Sequence, residues 1–118
     1  MGVDLTLMPL LSTKFWCAHD LIRLERRREL WDPIAQLPQQ PIPKPVSCYV
    51  AHDKNNSGER CYGDAETTPY GERRTYTTAA DLMTLKDHHG VKDNWLNSAV
   101  WAYLAQMPSD WPIILYWH

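Results

Sequence analysis

No run of apolar residues approaches the ~20 needed to cross a bilayer as a helix, and neither sign of charge is in excess. Twelve Lys and Arg stand against fourteen Asp and Glu, a formal net charge of −2. The first absence argues against a spanning helix. The second argues against direct, sequence-independent nucleic-acid binding, which needs a field of cations to release phosphate counterions. Cysteine is scarce too: Cys17, Cys48 and Cys61 are an odd set without a C-x-x-C spacing. With no basic segment ahead of an apolar one, MGVDLTLMPLLST does not read as a signal peptide, so reduced thiols and a cytoplasmic location are expected. The sequon Asn55-Asn56-Ser57 is then expected to stay unglycosylated.

Catalytic signatures are missing as well. Gly58, Gly63 and Gly71 form no phosphate-cradling pattern, and no G-x-S-x-G elbow occurs. Gly2 and Thr6 match the pattern for N-myristoylation, yet the same residues suit the lead-in to a buried strand, and no polybasic cluster adjoins them. No cofactor is expected.

What is present is an ordinary globular composition over 118 residues, enough for one domain spanning 1–118 with a single core. Six Trp and six Tyr against one Phe are aromatics with polar handles, which serve a core or a contact surface equally well. Residues Val3 to Leu10 alternate as a strand. The segment from Lys14 to Trp31 is predicted as the longest helix, with Ser12 or Thr13 as its cap and Leu21, Leu24 and Trp31 on one arc. Asp32-Pro33 is predicted to break it, Pro33 opening a short turn through Leu37. Pro38, Pro41, Pro43 and Pro45 make the next stretch an extended connector.

Val46 to Ala51 reads as a strand, Arg60 to Tyr62 as a short strand pairing back on it, and Glu72 to Thr77 as a third in the same meander. Turns are signalled around Gly58 and at Pro69-Tyr70-Gly71. Thr78 caps a helix to about Asp87, with Asp81 in the capping-box position and Gly90 as terminator. A further helix runs from Lys92 or Asp93 to Pro108. The closing WPIILYWH is apolar enough for a central strand beside the first. The expected class is α+β, with an antiparallel or mixed sheet of about four strands and helices mainly on one face. Trp16, Trp31, Trp111 and Trp117 are expected in the core.

Several constellations invite chemistry. Asp87, His88 and His89, followed by Asp93, Asn94 and Asn97, suggest a metal-dependent hydrolase or nuclease of HNH type, but only His118 is left as a later imidazole. Cationic imidazoles at a helix terminus explain the same residues. Cys48, His52 and Cys61 lack a fourth zinc ligand, and Cys17 and His19, two apart on a helix, would face different ways. Two concentrations of guanidinium remain: Arg23, Arg26, Arg27 and Arg28, and the loop group Arg60, Tyr62, Tyr70, Arg73 and Arg74. Arg forks match carboxylates and phosphates, and Tyr supplies rigid contact area. These residues are the candidate partner-binding set, either for an acidic protein surface or for a nucleotide, with Arg60, Arg73 or Arg74 on phosphate and Tyr62 or Tyr70 stacked on the base.

The opening MGVDLTLMP, the segment HDLIRLERRRELW and the closing WPIILYWH resemble small accessory proteins of phages and prophages. The resemblance covers both ends of the chain and carries no catalytic residue with it. It implies an accessory gene product that binds, and blocks, a host defence protein such as a CRISPR effector.

Overall fold

The computed structural model describes residues 3–14, 16–18, 22–51 and 60–118, and of residues 48–51 and 60–65 the backbone alone. Strand β1 (Leu5–Pro9) is buried along its whole length, as a strand between two packed layers must be. It is flanked on one side by β3 (Ile22–Arg23) and on the other by β8 (Pro112–Trp117). β8 is paired in turn with β7 (Thr75–Thr78), and β7 with β4 (Gln40–Pro41). The five-stranded sheet therefore runs β3-β1-β8-β7-β4, antiparallel throughout, with the two most apolar strands adjacent in its middle. A second sheet has the order β2-β5-β6, where β2 (Cys17–Ala18) is parallel to β5 (Val46–Ala51) and β5 is antiparallel to β6 (Arg60–Ala65).

Period-two alternation decides what each sheet face meets. Leu5, Leu7, Ile113 and Leu115 point to one face and pack with Leu30, Trp31, Ile34, Leu82, Trp101 and Leu104 of the helices. Met8 and Ile114 point to the other, where Ala18, Ile42 and Val46 lie over them. The molecule is an α+β domain with helices on one face of the main sheet and the small sheet on part of the other. The expected sheet of about four strands resolves into these two, and the Glu72–Thr77 strand joins the main sheet, not the β5–β6 hairpin.

The largest departure from expectation lies between Lys14 and Trp31. Helix α1 spans only Arg28–Ala35; the described chain before it turns at Lys14 and at Trp16, whose φ is +49°, and is otherwise two short strands and an irregular stretch, with no helix. Two forces outweigh the apolar spacing. β1 offers an open edge, and Ile22 and Arg23 fill it opposite Leu7 and Thr6, with the Leu24 amide donating to the Leu5 carbonyl. The like-charge pairs Arg23/Arg27 and Glu25/Glu29 would meanwhile oppose a helix. Nor does Asp32-Pro33 break a helix: Pro33 sits inside α1, which is held by burial of Leu30, Trp31 and Ile34. The proline connector is extended as expected, and its Gln40–Pro41 pairs at the sheet edge, where a missing amide costs least.

Helix α2 (Ala79–Met83) starts at Thr78, whose hydroxyl accepts from the Asp81 amide at 3.2 Å and donates to its carboxylate at 3.0 Å. It stops earlier than expected. Gly90 is not a terminator but a buried residue inside α3 (His89–Lys92), where a Cβ would come within 3.0 Å of the Leu30 Cβ. Asn94 caps α4 (Trp95–Leu104) by accepting from the Asn97 amide. Of the tryptophans expected in the core, Trp31 is buried, while Trp16, Trp111 and Trp117 are half-buried against the two clusters. Trp95 is 81 % exposed.

Candidate binding face

The small sheet covers only part of the second face of the main sheet. Beyond it, alternation along β1 and β8 places Asp4, Thr6, Tyr116 and His118 together, since Thr6 opposes Tyr116 and the Asp4 and His118 backbones exchange two hydrogen bonds. Arg23, opposite Thr6 on β3, joins them.

A single carboxylate organises the cations at this end. Asp4 accepts from Arg23 Nη2 and from Arg26 Nε, each at 2.9 Å. The hydrogen bond from Arg26 holds the Asp4 carboxyl below its ordinary range, with the charges of Arg26, Arg23 and His118 adding to it and desolvation opposing. Arg26 is raised in return, mainly by the same bond, and the Tyr70 phenol adds a smaller push. Asp4 is largely covered while the side chains of Arg23 and Arg26 are 67 % and 44 % exposed. Two guanidiniums sharing one carboxylate keep a net positive charge in fixed orientation, with further N–H donors available to a carboxylate from outside. Asp4, Arg23, Leu24, Glu25, Arg26 and Leu96 line an open groove of about 370 Å³.

Next to this pair the side chains interlock. The Thr6 hydroxyl and His118 Nε2 share a hydrogen bond of 2.8 Å, the His118 ring stacks on Tyr116 at 4.9 Å, and the Arg74 guanidinium lies 4.1 Å from the Tyr116 ring centre. Burial lowers the His118 pKa, with Arg23 and Arg74 adding to the shift and Asp4 opposing it.

The candidate residues thus fall into different roles. Arg23 and Arg26 are presented outward. Arg27 is half-buried and lies 4.0 Å from Glu29. Arg73 donates to the Ile42 carbonyl at 2.8 Å and pairs with Glu66 at 3.2 Å. Arg74 is buried, donating to the Thr67 carbonyl and the Met8 sulfur. Tyr70 is exposed in the turn at Gly71, whose φ of +84° is the left-handed conformation glycine permits. The side chains of Arg60 and Tyr62 lie outside the described residues, as do Gly2, His19, His52, the sequon and the turn at Gly58. Sequence spacing missed Asp4, Thr6, Tyr116 and His118. Strand alternation combined with the expected β1–β8 pairing carried the signal that could have found them.

The remaining constellations have structural partners. His88 Nδ1 accepts from the Gly90 amide at 2.9 Å, and His89 stacks on His88 and lies 3.7 Å from Glu29. Asn97 is fully buried: its Oδ1 accepts from the Glu25 amide, and its Nδ2 donates to the Glu25 and Gly90 carbonyls. Among the described residues no group of three or more His, Cys, Asp or Glu is placed to hold a metal ion, and no helix is long and apolar enough to cross a membrane. The chain matches no protein-family model, no curated protein and no solved structure.

Proposed function

We propose that the protein is a non-enzymatic accessory protein that binds an acidic surface of a host protein and inhibits it, an anti-phage defence protein such as a CRISPR effector being the target class. The observation that carries the reading is the exposed Arg23–Asp4–Arg26 arrangement at an open groove. Preorganised guanidiniums lose less side-chain freedom on binding and discriminate for carboxylates by geometry. Tyr70, close enough to influence Arg26, adds the rigid aromatic area typical of interfaces. The nucleotide reading draws less support, because Arg74 is engaged inside the fold and Arg73 is tied to Ile42 and Glu66.

The test is affinity capture by the tagged chain from lysates of bacteria carrying diverse defence systems. A stoichiometric host protein is expected, weakened by salt and lost when Arg23 and Arg26 are both changed to Ala. Retention of that protein by the double variant, or a clean lane from every lysate, would count against the proposal. So would a thermal shift with a cyclic nucleotide, which at ~100 times its Kd reports about 2.7 kcal/mol of stabilisation.

A further inference from the structure

Helix α4 carries large apolar side chains on its outer side as well as its buried one. Val100, Trp101 and Leu104 are buried with Asn97, while Trp95 is 81 % and Tyr103 48 % exposed, with Ser98, Ala99 and Ala102 exposed between them. No charged residue occurs between Asp93 and Asp110, and Ser98 is the one polar side chain on the outer side of the helix. Exposed aromatics side by side on an uncharged helix face mark a contact surface. Leu96 and Tyr103, seven residues apart, share one flank, and Ala99 and Trp95 continue the surface round the helix. Leu96 is also a wall of the groove that contains Arg23 and Arg26. Aromatic–aliphatic surface and paired cations therefore adjoin along one line, with small side chains set between two aromatic ridges.

We infer that this surface receives an amphipathic helix of the partner protein, its apolar stripe on Trp95, Leu96, Ala99 and Tyr103 and an acidic flank on Arg23 and Arg26. The inference rests on the protein-binding reading above and names the partner's chemistry. Small residues between ridges suit ridges-into-grooves packing of a helix. Charge complementarity sets which flank is acidic.

The probe is a display library of random peptides of about 15 residues, long enough for four helical turns. It is selected on the intact chain and counter-selected on the Trp95→Ser, Tyr103→Ser double variant. Both side chains are exposed, so that variant is expected to keep the parent's urea midpoint. Enriched peptides are expected to carry Leu, Phe or Trp at i, i+3 or i+4 and i+7, with Asp or Glu along one adjoining flank. Their affinity should fall about tenfold on the double variant, as for interface aromatics, and also on Arg23→Ala, Arg26→Ala. No enrichment over the counter-target, or enriched sequences without acidic residues or helical spacing, overturns the inference. Light scattering that finds a dimer split by the double variant also overturns it, assigning the face to a second copy. A captured host protein lost with Arg23 and Arg26 but kept by the Trp95/Tyr103 variant leaves protein binding standing and removes this inference. One indifferent to both sets removes both.

Discussion

Asp4 and His118 are adjacent in the sheet, and their ionisations act on stability in different pH windows. Asp4 is held below its ordinary value of 3.8, so its contribution is fully present above that pH and is lost as pH falls through the lowered value. His118 is lowered from 6.5 by burial, so the unfolded chain takes up its proton first and stability declines as pH falls below 6.5, down through the lowered value. Urea midpoints measured across pH should show the second decline in the parent and its loss in His118→Gln. Asp4→Asn should differ least from the parent at the acid end. The arginines differ as sharply. Arg74→Ala leaves the Thr67 carbonyl and Tyr116 ring without their partner inside the fold and is expected to cost about 2–3 kcal/mol. Arg23→Ala, at an exposed side chain, should leave the urea midpoint nearly unmoved while weakening partner capture.

Among the elements, the segment between β3 and α1 shows how one side chain can substitute for regular structure. It has neither a helical nor a full strand ladder, so its backbone groups need other partners. Asn97, at the first turn of α4, supplies them for Glu25 on both its amide and its carbonyl, and reaches Gly90 as well. Asn97→Ala would remove the side-chain partner of three backbone groups, of which the Gly90 carbonyl is buried and those of Glu25 are partly so. Chemical denaturation should register a loss of about 3 kcal/mol or more. The same change should reduce affinity at the groove, because Arg26 and Leu24 are positioned by this segment. Asn97→Asp, which retains an acceptor for the Glu25 amide but no donor, should recover only part of the stability.

For the whole molecule, β8 joins the two cores. Ile113 and Leu115 belong to the helix-side cluster and Ile114 to the one beneath the small sheet, all three fully buried. Leu115→Ala and Ile114→Ala are each expected to cost about 2–5 kcal/mol. If the domain folds as one cooperative unit, circular dichroism and tryptophan fluorescence will give coincident transitions in both variants. Separated transitions in Ile114→Ala alone would mean that the small sheet melts independently.

The α+β class, the central pairing of β1 with β8, the β5–β6 hairpin, the Thr78–Asp81 cap and the extended proline connector were all legible in local stretches of the chain. Each rests on a local cause: strand alternation, unbroken β-branched runs, a capping hydroxyl, or a ring that removes an amide. Long-range contacts set the path of residues 22–27. Their apolar spacing suits a helix, but the open edge of β1 and the Asn97 clamp, contributed from far along the chain, hold them without one until α1 begins at Arg28. Tertiary structure also decided which arginines face outward. Arg23 and Arg74 are alike in composition and differ because one borders solvent beside Asp4, whereas the other is enclosed over Tyr116. That difference arises from strand register across the sheet, which brings residues from opposite ends of the chain to a common face and has no signature in any local window.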